Sequence, residues 1–232
     1  MDRMLEQPCR FIYYGDMADI KYYSTRDDKD PVSFAEAVVR GIAPDGGLYV
    51  PSEFPPVDIT DPHLRALSYR QLAEHILSLF IPDFTAEELT ACVKDAYDDK
   101  FRDQGIAPIH SCGEAHFIEL HHGQTLAFKD MALSILPLFL TTAAKKLGIE
   151  DTIVILTATS GDTGKAALDG FADVEGVEIV VFYPTDGVSE VQKRQMTTQE
   201  GENTHVMGIS GNFDDAQNGV KEIFGDEQLR EL

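Results

Sequence analysis

The second half of the chain alternates short apolar runs with helix-forming stretches, and this alternation constrains the fold more than any other feature. The apolar runs are Ile153–Leu156, Val177–Tyr183 and His205–Ile209, and turn residues and a helical segment follow each of them. Strands that alternate with helices at this spacing are typical of parallel βαβ units. The run at 153–156 is continuously apolar, which indicates a strand buried on both faces. We therefore expect an α/β fold.

Helix-start signals divide the first half of the chain. Three capping-box patterns, at Ser33, Ser68 and Thr85, predict that a helix begins just after each of these residues. The third of these helices is expected to continue to about residue 100. The whole of residues 21–112 is therefore predicted to be mostly helical with loops.

Three further elements are predicted outside these regions. Residues 117–120 are expected to form a strand, and residues 128–147 an apolar helix. Pro137 falls inside that helix, where a kink costs about 3 kcal/mol. A last helix is expected to run from residue 215 to residue 232, with Asn212 or Asp214 as its cap.

Acidic residues dominate the charge of the chain, with 40 Asp and Glu against 19 Lys and Arg, which gives a net charge of −21. Such a surface repels phosphate backbones and anionic lipids, so nucleic-acid and membrane-surface partners are not expected. The three cysteines, Cys9, Cys92 and Cys112, form neither a CxxC pair nor an even disulfide framework, which favours a reducing cytoplasmic compartment. Residues 1–20 lack the apolar core of a signal peptide and are interpreted as a tail.

Lys129 is the first candidate for chemistry, because it lies at the start of the apolar helix predicted for residues 128–147. Burial and a helix N-terminus both disfavour the charged ammonium, which makes the amine more nucleophilic. An amine of this kind can form a Schiff base with a carbonyl cofactor. The alternative is that Lys129 reaches water or pairs with Asp130 or another acid.

The segment Thr157–Gly164 is the second candidate, because it follows a predicted strand and precedes a predicted helix. Small residues allow a ligand to approach the backbone, and a helix N-terminus offers N–H groups to an anion. The hydroxyls of Thr159, Ser160 and Thr163 can add further donors. The alternative is a tight strand-to-helix turn in which Ser160 or Asp162 caps the helix.

Two other polar groups are interpreted as having no role in a site. Lys193 and Arg194 follow the segment 183–190, which lies at the end of a predicted strand. They either contact a phosphate or lie on a solvated helix face, and we prefer the second interpretation. The seven histidines predict no metal site. His121 and His122 are adjacent, so on an extended backbone they would point in opposite directions and could not bind one ion together.

These motifs together resemble those of the threonine synthase family. Tyr22–Arg26 and Pro44–Tyr49 are similar to the N-terminal region of that family, and His122–Asp130 is similar to its cofactor-lysine motif. Thr157–Gly164 resembles the family's substrate-binding loop, and Val188–Ser189 with Gly211–Asp215 also fits. The resemblance extends from about residue 21 to residue 232.

The resemblance implies an enzyme of fold type II that depends on pyridoxal 5'-phosphate (PLP), with the fold of cysteine synthase and the tryptophan synthase β chain. It implies a lyase of threonine biosynthesis that converts O-phospho-L-homoserine and water to L-threonine and phosphate. The domains it implies are an N-terminal domain at 21–112, the start of a large PLP-binding domain at 113–147, and a small α/β domain at 148–232.

The same resemblance implies roles for individual residues. Lys129 would bind the cofactor as a Schiff base and later move protons, Phe128 would flank the cofactor, and Asp162 would contact it. The substrate, through its α-carboxylate, would contact Thr159, Ser160, Gly161, Asp162, Thr163 and Gly164.

The sequence departs from the family pattern in several ways. Family chains are about twice as long, and their remaining part supplies the loop for the cofactor phosphate and the group that faces the pyridine nitrogen. We therefore expect a fold that is incomplete at the C-terminus, and a partner that is either a second copy or a complementary C-terminal half. Gln124 also replaces the usual proline. Two alternatives stay open: a threonine-synthase-like phospho-lyase, and a non-catalytic fragment.

Overall fold

The structure is a computed structural model that describes residues 20–226. Residues 1–19 and 227–232 lie outside the described residues. They include Cys9, most of the predicted tail and the end of the predicted last helix. No described helix is both long enough and apolar enough to cross a membrane. The described residues form two compact units, one of residues 20–95 with 142–147 and one of residues 96–141 with 148–226. The domain boundaries expected from the sequence stay a prediction.

The first unit combines a two-stranded antiparallel sheet with helices. The strands are β1 (Tyr22–Ser24) and β2 (Tyr49–Pro51). The helices are α1 (Phe34–Arg40), α2 (Pro62–Arg65), α3 (Tyr69–Phe80) and α4 (Ala86–Ala96, whose last residue belongs to the second unit).

The three predicted capping boxes are confirmed. The Ser33 and Ser68 hydroxyls accept hydrogen bonds from the backbone N–H groups of Glu36 and Gln71, whose side chains accept from the N–H groups of the capping serines. Thr85 and Glu88 form the same reciprocal pair.

Helix α4 ends earlier than predicted, at Ala96 rather than near residue 100. The carboxylate of Asp98 accepts a hydrogen bond from the N–H of Lys100 at 2.9 Å. This local turn competes with the helical ladder, and the acidic pair Asp98–Asp99 is unfavourable at the negative end of a helix dipole.

The second unit begins with an antiparallel hairpin that the sequence only half reveals. Strand β3 (Ile109–Cys112) pairs with β4 (Ala115–Ile118), so the strand expected at 117–120 begins and ends earlier and has a partner that was not predicted. The two-residue connection includes Gly113, at φ +61°. All eight strand residues are exposed, so no hydrophobic alternation marks β3 in the sequence.

The apolar helix expected at 128–147 is two helices, α5 (Asp130–Leu133) and α6 (Leu136–Leu147). The predicted kink at Pro137 is therefore wrong. The chain breaks before the proline, which lies in the first turn of α6. Proline is tolerated there because the N–H groups of a first helical turn have no intrahelical partner.

A three-stranded parallel sheet forms the core of the second unit and confirms the expected α/β class. Its strands are β5 (Ile153–Ala158), β6 (Val177–Pro184) and β7 (Thr204–Ile209), in the order β5-β6-β7. Its helices are α7 (Asp162–Phe171), α8 (Glu190–Thr197) and α9 (Phe213–Gly225), and Asn212 caps α9.

Burial within this sheet differs from the prediction. Ile179 and Val181 of the central strand β6 are fully buried. Strand β5 pairs with β6 alone among the described strands, and its Val154 is 52% exposed. The prediction that both faces of residues 153–156 are buried is therefore wrong.

Candidate functional site

Lys129 lies at the N-terminal cap position of α5, as the sequence predicted. Its side chain is half-buried, and its Nζ lies 4.1 Å from the ring centroid of Phe128. That separation is typical of a cation–π contact. The Phe128 ring itself is 62% exposed. The amine and the aromatic ring are thus adjacent and open to solvent, where a flat ligand can reach both.

Asp130 closes the loop that carries Lys129. Its carboxylate is 5% exposed and accepts two hydrogen bonds from Thr125, one from the backbone N–H at 2.8 Å and one from the hydroxyl at 2.5 Å. The interpretation in which Asp130 pairs with Lys129 is therefore not the arrangement observed. The carboxylate orders the loop, and the Lys129 amine lies against the Phe128 ring instead.

Leu126 adopts a strained backbone conformation within the same loop. Its φ of +64° lies in the left-handed region, and its side chain is 51% exposed. This conformation costs an L-residue about 1–2 kcal/mol, and residues held this way concentrate at functional sites. The Thr125–Asp130 bonds are the neighbouring interactions that hold the loop in this shape.

Thr159 organises the second predicted loop from inside. Its hydroxyl accepts hydrogen bonds from the N–H groups of Gly161 and Gly164 at 3.0 and 2.8 Å, and its side chain is 1% exposed. Neither Ser160 nor Asp162 caps α7. The cap position is occupied by Gly161, which has no side chain to accept a hydrogen bond. The Thr159 hydroxyl also donates to the carbonyl of Gly161 at 3.2 Å, so both its donor and its acceptor capacity are used by the loop backbone.

The remaining predicted loop residues surround the N-terminus of α7, where backbone N–H groups are unpaired within residues 20–226. The side chains of Ser160 and Asp162 are exposed, and that of Thr163 is half-buried. The N–H groups of Asp162 and Thr163 form no hydrogen bond with the part of the chain that the structure describes. They are therefore available to an anion, as at other helix N-termini.

Gln192 contacts this loop from α8, a role that the sequence analysis missed. Its amide nitrogen donates to the Asp162 carboxylate at 2.8 Å, and its side chain covers Gly161, whose φ is +147°. The pattern Ser189-x-x-Gln192 in the sequence is that of a capping box, and the structure forms it. That signal predicts the start of α8 but not the contact with a loop 30 residues away.

The two predicted loops are connected through helices of the second unit. Helix α5, which follows Lys129, packs against α7, which follows the Thr157–Gly164 loop. Gly170 permits this packing because a side chain there would overlap the carbonyl oxygen of Leu133. The cavity between these helices, about 70 Å³, is lined by Gln124, Asp130 and Asp169 among others. It is far smaller than the several hundred Å³ typical of ligand pockets.

The other polar groups singled out in the sequence have different outcomes. Arg194 pairs with Glu190 on a largely exposed face of α8, as expected for a solvated surface. The prediction that His121 and His122 point in opposite directions is wrong, because residues 119–122 belong to no strand. The rings of His121 and His122 stack at 4.5 Å on the same side of the chain, with Glu119 beside them.

Comparisons with known proteins point to one family. The family model described as the threonine synthase N terminus matches residues 21–97. The threonine synthase of Pseudomonas aeruginosa is 38% identical over 211 residues, which cover 90% of this chain and 44% of that protein. Threonine synthase-like 2 of Rattus norvegicus is also 38% identical, over 88% of this chain and 42% of that protein.

The fold agrees with these sequence comparisons. The crystal structure of PLP-bound threonine synthase from Brucella melitensis has a TM-score of 0.79 and 37% identity, and covers 90% of this chain and 45% of that one. The chain thus spans less than half the length of each of these three proteins. In sequence and in fold, this chain is similar to threonine synthases over less than half of their length, which is consistent with an N-terminal half.

Proposed function

We propose that this chain carries the cofactor lysine of a PLP-dependent threonine synthase. The proposed reaction converts O-phospho-L-homoserine and water to L-threonine and phosphate. Support comes from relatives named threonine synthase and from a relative crystallised with PLP. The odd number of cysteines, without a CxxC pair, supports a cytoplasmic location.

One observation carries the proposal: the amine of Lys129 lies 4.1 Å from an exposed aromatic ring, at the start of a helix. A half-buried primary amine beside an exposed ring fits the aldehyde end of PLP. The buried Asp130 fixes the loop through Thr125, so the amine is held at a defined place. Preorganisation of this kind is what a covalent cofactor site requires.

The other residues are assigned to orientation and binding. PLP, when bound, supplies an electron sink that makes loss of phosphate and addition of water possible. Lys129 would hold the cofactor and move protons at the Cα and Cβ atoms of the substrate. The open N–H groups of Asp162 and Thr163, with the Ser160 hydroxyl, would bind the substrate α-carboxylate. Phe128 would flank the cofactor ring.

Two other functions have specific support. One is a threonine-synthase-like phospho-lyase that releases phosphate without forming threonine, since a relative named threonine synthase-like 2 is as identical to this chain as the threonine synthase of Pseudomonas aeruginosa. The short coverage of the relatives favours a non-catalytic chain that acts only with a complementary C-terminal half or a second copy. The resemblance implies that the C-terminal half supplies the loop that binds the cofactor phosphate and the group that faces the pyridine nitrogen.

Borohydride trapping tests the lysine assignment. The chain is incubated with PLP, reduced with borohydride and digested, and the modified lysine is identified by mass spectrometry. We expect the label on Lys129 and its loss in Lys129→Ala, while Lys145→Ala, which removes an exposed lysine of α6, keeps it. Label on another lysine contradicts the assignment, and no label on this chain alone favours the non-catalytic function.

Product analysis then separates the two enzymatic functions. O-phospho-L-homoserine is added to the PLP-loaded chain, and threonine and phosphate are both quantified. Equal amounts of the two products support threonine synthase. Phosphate without threonine supports the phospho-lyase.

A further inference from the structure

Glu119, His121 and His122 bring three potential metal ligands together just before the lysine loop. One ligand atom from each residue lies within 4.8 Å of the other two. The two imidazole rings stack with their centroids 4.5 Å apart and their planes 29° apart. Among residues 20–226, no other group of three His, Cys, Asp or Glu side chains converges in this way.

We propose that Glu119, His121 and His122 form a binding site for a divalent transition metal ion of the Zn²⁺ type. Two imidazoles and one carboxylate are a donor set that Zn²⁺ takes in sites with three protein ligands and one open position. The carboxylate contributes a negative charge, and the net charge of −21 favours cations around the chain as a whole. The proposal does not depend on PLP or on the proposed function.

The distances require only small adjustments to hold an ion. Ligand atoms about 2.1 Å from a tetrahedral ion lie about 3.4 Å from each other. The Glu119 oxygen and the His122 Nε2 are 2.8 Å apart, so they need to separate by about 0.6 Å. The remaining pairs, at most 4.8 Å apart, need to approach by about 1.4 Å or less. The two stacked rings also have to rotate about their side-chain torsions, because an imidazole nitrogen binds an ion in the plane of its ring.

The backbone of this segment is fixed at both ends. The N–H of Glu119 donates to the carbonyl of Pro108 at 3.0 Å, and the carbonyl of His122 accepts from the N–H of Arg102 at 2.9 Å. The ligands therefore start from a stable arrangement, which lowers the entropy cost of binding. The side chains of His122 and Glu119 are 18% and 34% exposed, so an ion can enter from solvent and keep a water ligand.

A hydrogen-bonded His122–Glu119 pair is the competing explanation for this cluster. That pair alone would stabilise the loop and would give His121 no role. Metal binding requires His121 as the third ligand. A variant at His121 therefore distinguishes the two, and its exposed side chain makes a folding defect in His121→Ala unexpected.

Calorimetric titration of the untagged 232-residue chain with zinc chloride, without PLP, tests the proposal. We expect one Zn²⁺ per chain and at least about tenfold weaker binding in both His121→Ala and Glu119→Gln. His110→Ala, which removes an exposed histidine of β3, is the control and should bind as the parent chain does. Cobalt chloride should also give the visible absorption of a tetrahedral Co²⁺ site, and His121→Ala should lose it.

Three results would overturn the proposal. They are no saturable binding of Zn²⁺, unchanged affinity in His121→Ala, and an equal loss of affinity in His110→Ala. Circular dichroism of each variant checks that the fold is kept. If His121→Ala were unfolded, Glu119→Gln would decide the question, because glutamine keeps the size of glutamate.

Discussion

Gly123 lies so close to Asp130 that a Cβ atom at position 123 would be 2.5 Å from the Cβ of Asp130. Gly123 is buried. Its φ is not positive, so its backbone conformation does not require glycine. The requirement is space. Asp130, which orders the lysine loop through Thr125, therefore leaves room only for a glycine at position 123.

We expect Gly123→Ala to destabilise the chain by about 1–3 kcal/mol, because overpacking of a buried site forces neighbouring groups to move. Urea unfolding followed by circular dichroism measures this, since the chain contains no tryptophan. Gly219→Ala is the control, because nothing lies within 4 Å of a Cβ atom at this α9 position. It should be neutral or stabilising by up to about 1 kcal/mol. Equal stability of the two variants would contradict the steric argument.

Thr125→Val should also destabilise the chain, by about 1–3 kcal/mol. Valine keeps the shape of threonine but removes the hydroxyl that donates to the buried Asp130 carboxylate, which leaves an acceptor unsatisfied. Thr152→Val, at an exposed position, is the matched control. If both substitutions had the same small effect on the urea midpoint, the Thr125–Asp130 bond would have no role in stability.

Local signals predicted the element starts well because they act over a few residues. The serines at positions 33, 68 and 189 and Asn212 all cap helices, and each cap needs only its own next three residues. The strands β5, β6 and β7 were found for a similar reason, since each contains a short run rich in apolar residues between turn residues. Lys129 was placed correctly at a helix start by the apolar residues that follow it.

Long-range contacts were not predictable from the same signals. The contact from Gln192 to Asp162 depends on how separate segments meet. The β3–β4 hairpin is local, but its exposed strands show no hydrophobic alternation. The helix break at Ser134 and the stacked histidines depend on backbone geometry that periodicity does not encode. The Thr125–Asp130 bond spans only five residues, yet its side-chain geometry has no sequence signature.

Thr159→Val is expected to destabilise the second unit by about 2–3 kcal/mol. Its hydroxyl accepts from two buried N–H groups, of Gly161 and Gly164, and the valine leaves both without an acceptor. Thr159→Ser is the matched control, because it keeps the hydroxyl and loses only a methyl group. Unfolding midpoints in urea should rank the parent first, then the serine variant, then the valine variant. A serine variant as unstable as the valine variant would show that packing of the methyl group dominates.

Tyr22 makes the first unit sensitive to alkaline pH. Burial, and secondarily the charge of Asp83, raise the pKa of Tyr22 to about 12 from its ordinary value of 10.0. Its hydroxyl donates to the carbonyl of Phe80 at 2.7 Å, which also requires the neutral form. Because the folded chain holds this proton more tightly than the unfolded chain, the contribution to stability is complete below pH 10. It is lost as the pH rises from 10 towards 12.

Tyr22→Phe isolates this effect. Near neutral pH we expect the variant to be less stable by about 1 kcal/mol, because it loses the hydrogen bond to Phe80 but keeps the edge-to-face contact with Phe34. At about pH 11 the difference between the two proteins should shrink, since only the parent chain pays to keep a tyrosine neutral, at about 1.4 kcal/mol per pH unit. Urea unfolding of both proteins at the two pH values measures this. Other tyrosines and lysines titrate equally in both chains and cancel in the comparison. A difference that stays constant from neutral to alkaline pH would mean that Tyr22 ionises as readily in the folded chain as in the unfolded one.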